Sequence, residues 1–532
     1  MEVPLLVSDF INRAVKLYGP SEAIVDGDDR WTYAEFGARA NQLGNALVGL
    51  GVGKGDRVGI LSPNSHHFLE AFYGVPSIGA VIVPMNYRLI AADFDYIVNH
   101  AGAKVMLVDS EYTDVIDELR SKLPTVEHFI VARYGCTPTP DGWTDWEDLI
   151  DGQSAITPPD PQLDENDLYS INYTSGTTAR PKGVMLTHRN IYINTYNFII
   201  HNRISNQDVE MWTLPMFHAN GWGGPFALTA VGARHAVLRK VDAKEMYKLM
   251  QNEGVTFACM APAVLSAILD YPDRDEYNVT TKPRFVVAGA PPPLRFIERL
   301  ETELGWEFIQ GYGLTETSPL LTLAEIKPYM GLDADGARRV KVRAGHDIIG
   351  VSVRVVDSDD NDVLTNDEEI GEVVARSNVV LKGYWEQPEE TAKVIVDGWF
   401  HTGDLATVDE HGYINLVDRA KDMIISGGEN VSSIEVEDML YEHPAILEAA
   451  VIGVPSERWG ETPIAVVVLR EGEAATAEEI IAHCRERMAH FKAPTLVEFV
   501  DALPRTATGK LKKFELREGL WAGAEANERR IN

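Results

Sequence analysis

Tyr173-Thr174-Ser175-Gly176-Thr177-Thr178-Ala179-Arg180-Pro181-Lys182-Gly183 is a run of hydroxyls closed by a basic residue. The segment before it, Leu168 to Asn172, reads as a strand. A loop of this make-up holds nucleotide phosphates through backbone N–H groups, Ser/Thr hydroxyls and a cation. It is not a Walker A loop. That pattern has Gly directly before Lys and Ser or Thr directly after, whereas Pro181 and Gly183 flank Lys182. The loop points to ATP handled by another scheme. Alone, such a cluster is more often a solvated turn; the segments around it decide.

Upstream, helix and strand alternate. Tyr33 to Leu50 has helical spacing with Thr32 as N-cap, and Arg57 to Leu61 is a short buried strand. His66 to Ile78 is helical, and Ala80 to Pro84, Lys104 to Val108 and His128 to Ala132 are strands. Strands spaced by helices predict parallel βαβ units. Residues 134–167, rich in Pro, Asp and Gly, read as a connecting loop.

Downstream, a second α/β stretch runs from Glu210 to about Ala290. From Ile348 to Val380 short strands alternate with Asp/Asn turns, which predicts an antiparallel sheet or small barrel. A boundary falls near Asp418 to Lys421. Beyond it, helix Ser433 to Tyr441, strands Ile446 to Val454 and Pro463 to Leu469, and helix Ala477 to Ala489 make a compact α+β unit. The expected class is α/β. A large domain (residues 1–418) of parallel α/β sheets plus a small β-barrel precedes a small α+β domain (422–532), with 419–421 between them.

The chain has 532 residues, 45% hydrophobic and 24% charged, so two or more globular domains are expected. Lys plus Arg number 48 against 80 Asp plus Glu, a net charge of −32. That argues against non-specific binding to nucleic acid or anionic membrane. It leaves room for anionic small ligands held by a local group of cations. Cys136, Cys259 and Cys484 lie far apart and show no disulfide or zinc spacing. Met1 to Asp9 lacks a basic region and a long apolar stretch, and the apolar run Ala71 to Met85 is too short to span a bilayer. A cytoplasmic protein without stable membrane insertion is the expectation.

Further segments look like site loops. Val287-Ala288-Gly289-Ala290-Pro291 ends a strand in a Gly turn, where open α/β sheets bind ligands. Gly311-Tyr312-Gly313-Leu314-Thr315-Glu316-Thr317 puts an aromatic, hydroxyls and a carboxylate on one Gly-hinged loop. His401-Thr402-Gly403-Asp404 offers a carboxylate suited to ribose. Leu416 to Asp422 carries mixed charge at the domain boundary. Pro504-Arg505-Thr506-Ala507-Thr508-Gly509-Lys510 is a polar loop ending in Lys.

In this order, over nearly the whole chain, these segments resemble the acyl-adenylate-forming superfamily of acyl-CoA synthetases, amino-acid adenylation domains and beetle luciferases. The resemblance implies two half-reactions. A carboxylate attacks the α-phosphate of ATP to give acyl-AMP and pyrophosphate. The C-terminal domain then rotates, and a thiol attacks the acyl carbonyl and releases AMP. It implies ATP, Mg²⁺ and CoA as cofactors and a homodimer as the assembly. Thr174, Ser175, Gly176, Thr177, Thr178 and Lys182 would cradle the β- and γ-phosphates. Glu316 would hold Mg²⁺, with Thr315 near the α-phosphate. Tyr312 would stack on adenine beside Gly289, Ala290 and Pro291, and Asp404 and Arg419 would hold the ribose. Lys510 would bridge carboxylate and α-phosphate oxygens during adenylation. Lys421 matches the hinge. Ser426, Gly427 and Gly428 match the loop that enters the site with CoA. Ala179 stands where the family usually has Gly.

The acid is read from Pro215-Met216-Phe217-His218-Ala219-Asn220-Gly221-Trp222-Gly223-Gly224-Pro225-Phe226. Amino-acid-adenylating enzymes need a carboxylate to pair the substrate ammonium. In them Asp follows the Phe, but here His218 does, and the string contains no acid. It resembles fatty acyl-CoA synthetases of the medium- to long-chain type. Trp222 and Gly311 are the expected acyl-pocket residues, and Trp222 is either the gate of an acyl tunnel or a packed core residue. His218 is either beside the reacting carbonyl or a structural histidine. Short aryl acids stay open. CoA is the expected acceptor. Loading of a carrier protein is the runner-up, luciferase-like oxidation is a distant third, and a catalytically silent binding protein is a different class again.

Overall fold

A computed structural model of the chain describes residues 1–174, 180–289, 292–426, 429–456, 459–505 and 511–517. Strands buried on both faces, with helices as crossovers, pair in parallel. Two such sheets build the large domain. The first runs Gly383–Tyr384, Lys182–Thr187, Leu168–Thr174, Val81–Met85, Arg57–Leu61, Ala103–Asp109, His128–Ala132, Thr144–Asp145. From Leu168–Thr174 to Thr144–Asp145 the pairing is parallel. Leu168–Thr174 and Lys182–Thr187 pair antiparallel with Thr174 opposite Lys182.

The second sheet runs His346–Asp347, Leu320–Leu323, Glu307–Gly313, Arg284–Val287, Phe257–Met260, Val209–Met211, Arg234–Val237, Glu22–Asp26, Asp29–Thr32. Its centre is parallel and its ends antiparallel. Helix Tyr33–Gly49 starts where expected. Thr32 accepts from the Glu35 N–H, and the Glu35 carboxylate returns the bond to the Thr32 N–H, a reciprocal cap. One apolar core joins the layers, with Phe36, Phe68, Phe72, Trp146, Tyr169 and Phe226 fully buried.

The third sheet is antiparallel: Val351–Val356, Gly371–Ser377, Trp399–Val408, Ile395–Val396, with Ile414–Arg419 also on Trp399–Val408. It curls into a half-barrel. Residues 134–167 are not all loop. They hold strand Thr144–Asp145 and helix Trp146–Ile150. Asp145 caps that helix by accepting from the N–H groups of Glu147 and Asp148, and Trp146 and Ile150 turn into the core.

Past Arg419, residues 420–423 lead to strand Ile424–Ser426 of a separate sheet. Ile446–Ser456 and Gly460–Leu469 pair antiparallel there, and Leu496–Phe499 joins in parallel. Helices Ser433–Tyr441 and Ala477–Arg487 bury Val436, Leu440, Ile480 and Cys484 against it. Among the described residues no helix is long and apolar enough to cross a membrane.

Candidate active site

Loops at the strand ends of the large domain and residues of the C-terminal unit enclose a cavity of about 1720 Å³. Thr174, Lys182, His218, Trp222, Gly289, Gly311, Tyr312, Thr315, Glu316, Asp404, Arg419 and Lys421 all line it. Ser426 does not: it is buried in its own sheet, paired with Glu429 and Gly460. Ser175, Gly176, Thr177, Thr178, Ala290, Pro291, Gly427, Gly428 and Lys510 lie outside the described residues.

The Gly311–Thr317 loop leaves strand Glu307–Gly313 and returns as Leu320–Leu323. Only glycine fits at 313, because a Cβ there would lie 1.7 Å from the Pro319 carbonyl oxygen. The loop's Glu316 carbonyl accepts from the Leu381 N–H at 2.7 Å, which ties it to the strand carrying Tyr384. The Tyr384 hydroxyl donates to Glu316 Oε1 at 3.1 Å. Burial, then the Glu316 charge, push the Tyr384 phenol well above its ordinary pKa, so it stays a donor.

Tyr312, Asp404 and Arg419 form one unit. The Tyr312 hydroxyl donates to Asp404 Oδ2 at 2.7 Å, and Arg419 Nε lies 2.6 Å from Asp404 Oδ1. Asp404 and Arg419 face each other across adjacent strands. Burial works against the Arg419 charge, but Asp404, Tyr312 and Glu316 outweigh it and raise the guanidinium pKa. Burial and then the Asp404 charge drive the Tyr312 phenol far up.

Several of the cavity's cations are held by acids. Lys182 Nζ lies 2.6 Å from Glu390 Oε2 and over the Tyr384 ring. Lys513 pairs with Glu437 at 2.8 Å and Arg505 with Glu448 at 3.3 Å. An incoming triphosphate finds cations already ordered, with carboxylates to displace.

The acyl string folds in an uncommon way. Ala219, Asn220, Gly221, Trp222 and Gly223 have φ of 44°, 53°, 60°, 56° and 92°. This is a left-handed turn, which costs roughly 1–2 kcal/mol at each residue bearing a Cβ. A buried ring of hydrogen bonds offsets that cost. Asn220 Nδ2 donates to Ser170 Oγ at 2.9 Å, Ser170 donates to Asn172 Oδ1 at 2.7 Å, and Asn172 Nδ2 donates to Asn220 Oδ1 at 3.1 Å. Sequence reasoning missed this ring together with Tyr384 and Glu390. The density of Asn and Gly in Ala219 to Gly224 was the available signal for positive φ.

Two family models cover most of the chain. The AMP-binding enzyme model matches residues 11–385, and the AMP-binding enzyme C-terminal domain model matches residues 435–510. The chain belongs to the AMP-binding enzymes, the acyl-adenylate-forming superfamily. This AMP-binding enzyme is 38% identical to the 4-hydroxybutyrate–CoA ligase 2 of Metallosphaera sedula, over 99% of this chain and 95% of the relative. It is 37% identical to the long-chain-fatty-acid–CoA ligase of Thermus thermophilus, over 97% and 96%. Its fold superposes with a TM-score of 0.90 on the anthranilate CoA ligase AuaEII in complex with anthranoyl-AMP, at 29% identity over 99% of both chains. Family and likeness together support an AMP-forming acid–CoA ligase that uses ATP and CoA. The acids in the relatives' names differ from one another.

Proposed function

We propose that this AMP-binding enzyme activates an aliphatic carboxylic acid, of medium to long chain, as acyl-AMP and passes the acyl group to CoA. The observation that carries this reading is the union in one cavity of the Tyr312–Asp404–Arg419 unit, Lys182, Glu316, His218 and Trp222.

In the first half-reaction two anions must meet, and charge grows on the phosphate oxygens, so preorganised cations and N–H donors are the main lever. Lys182 leaves Glu390 for the β- and γ-phosphates. Asp404, already oriented by Tyr312 and Arg419, accepts from the ribose hydroxyls. Thr315 sits beside the α-phosphate, and Lys510 bridges it to the acid's carboxylate. Glu316 fits Mg²⁺: Oε1 is taken by Tyr384, while Oε2 has no hydrogen-bond partner among the described residues. A bound ion there would offset phosphate charge. His218 lies by the reacting carbonyl, and Trp222 flanks the acyl channel.

In the second half-reaction Lys510 must withdraw so that the thiol can approach. Residues 419–421, with Lys421 as the pivot, are the hinge for that lid-type step. Ser426, Gly427 and Gly428 then enter beside the pantetheine arm.

The test is ATP- and CoA-dependent thioester formation across saturated acids from acetate to palmitate and several aryl acids, with pyrophosphate and AMP followed. A peak among aliphatic acids with stoichiometric AMP is expected. Acyl-AMP accumulating without a CoA product moves the enzyme to carrier-protein loading. Aryl acids winning makes Trp222 a wall of a short pocket.

A further inference from the structure

Among the described residues, His66, His67 and Glu147 each offer a potential metal-ligand atom, and these atoms lie within 4.8 Å of one another. None of the three lines the active cavity. They come from two separate elements. His66 and His67 open helix His66–Ser77 behind the Ser65 cap, and Glu147 lies in helix Trp146–Ile150. A third element backs them. Asp26, the last residue of strand Glu22–Asp26, accepts from the His66 backbone N–H at 3.0 Å, and its Oδ2 lies 2.8 Å from His66 Nδ1.

The rings are already held in place. Trp31 stacks on His66 with centroids 4.1 Å apart, and Trp146 meets His67 edge-on at 5.0 Å. A carboxylate behind a histidine fixes the ring and raises its basicity, as in the outer shell of metal sites. His67 Nε2 stands 3.1 Å from Glu147 Oε1. Nitrogen and oxygen ligands at about 2.0–2.1 Å from a tetrahedral zinc lie roughly 3.4 Å apart. This pair is near that spacing, with a shared proton where the ion would sit. Glu147 also receives Arg39, with Nη1 on Oε2 at 2.8 Å and Nη2 on Oε1 at 2.6 Å. Each carboxylate oxygen accepts twice, so Arg39 leaves Oε1 a second position.

Charge points the same way. Asp26, Glu70 and Glu147 are paired here by one permanent cation, Arg39, and by the two histidines. With neutral rings that leaves two negative charges, which a divalent ion balances. Burial lowers the His67 pKa and so favours the neutral ring that a metal needs. The Glu147 side chain is 44% exposed, which gives an ion a way in.

We propose that His66, His67 and Glu147 bind one zinc ion, with water completing its coordination. Two imidazoles and a carboxylate suit zinc, whereas Mg²⁺ and Ca²⁺ take oxygen ligands. The ion is a structural tie. Through Asp26 it joins strand Glu22–Asp26 to the two helices, apart from the chemistry in the cavity.

The test titrates Zn²⁺ into chelator-treated full-length enzyme by calorimetry, in buffer containing Mg²⁺, and melts the protein with and without Zn²⁺. One equivalent bound and a raised melting temperature are expected. His66→Gln is expected to lose both. Asp26→Asn keeps all three ligands and is expected to weaken binding by roughly 10- to 100-fold. Co²⁺ in place of Zn²⁺ is expected to give the visible absorption of a four-coordinate site in the wild type and not in His66→Gln. Wild-type enzyme that takes up no zinc overturns the proposal, whatever the variants do. Zinc bound with unchanged affinity by His66→Gln also overturns it, because the ion then sits elsewhere. If His66→Gln fails to fold, an unchanged affinity in Asp26→Asn overturns it in the same way.

Discussion

Lys182 Nζ and Glu390 Oε2 stand 2.6 Å apart across 208 positions of sequence. The lysine that ends the phosphate loop is thus held by an acid from helix Pro388–Val394. Hydrogen bonds from Lys182 and then Lys393 hold the Glu390 carboxyl down at about 2, so it is charged throughout the neutral range. If Lys182 binds the ATP phosphates as proposed, they must displace it. Glu390→Gln is expected to lower KM for ATP by roughly 1.5- to 5-fold, the scale of a solvent-screened pair. Steady-state kinetics with varied ATP check this; a raised KM would mean that Glu390 orders Lys182 rather than competing for it.

The Tyr312 hydroxyl donates to Asp404, the residue proposed to accept from the ribose. Tyr312→Phe keeps the ring and removes one hydrogen bond to a charged acceptor. KM for ATP is expected to rise by roughly fivefold or more, while KM for the acid stays constant. Equal rises in both would show that the loop, not the ribose contact, has moved.

Gly223 has φ of +92°, and a Cβ there would meet Asn194 Nδ2 at 2.3 Å. Gly223→Ala is expected to cost about 2 kcal/mol or more of stability and to abolish turnover by displacing Trp222. Gly49→Ala is the control. It meets nothing within 4 Å and ends a helix, so it should be neutral. Urea unfolding of both variants gives the answer, and equal midpoints would refute the account of the left-handed turn.

His235 is fully buried in a directed chain. Trp212 Nε1 donates to its Nδ1 at 3.3 Å, its Nε2–H donates to Thr229 Oγ1 at 3.2 Å, and Thr229 donates to the Pro225 carbonyl at 2.7 Å. This arrangement needs the neutral ring, and burial holds its pKa down to about 3. The folded pKa lies below the unfolded value of about 6.5. Above pH 6.5 neither state binds the proton. Below it only the unfolded chain does, so stability falls with falling pH by up to about 1.4 kcal/mol per unit, until the pH nears 3. His235→Gln should remove one proton's worth of slope between pH 7 and 5, measured by denaturant titration. An unchanged slope would show that the ring already takes up the proton in the fold.

Lys510 and Lys421 test the two half-reactions. Lys510→Ala is expected to stop adenylation while leaving CoA capture of supplied acyl-AMP largely intact. Lys421→Pro is expected to do the reverse, because it blocks rotation about 419–421. Equal loss of both halves in each variant would end the case for domain alternation.

The helix Tyr33–Gly49, the strands Arg57–Leu61 and His128–Ala132 and the helix Ser433–Tyr441 were legible from periodicity and cap residues alone, because those signals act within a few positions. The half-hidden helix Trp146–Ile150 was not. Its Pro- and Asp-rich surroundings read as loop, and only burial of Trp146 in a distant core makes it a helix. The motif residues around Lys182, Tyr312, Asp404 and Arg419 were also legible, since their types and order are local text. Tyr384 and Glu390 carry no such text. Each is an ordinary residue of its element until the sheets close.

By itself the sequence determined the α/β class and the family, because periodicity, turn chemistry and motif order are short-range properties. Only the tertiary structure decided that Glu390 occupies Lys182 and that Tyr312 and Arg419 share Asp404. Whether a polar group is satisfied depends on neighbours brought together from far along the chain, and no local pattern encodes those.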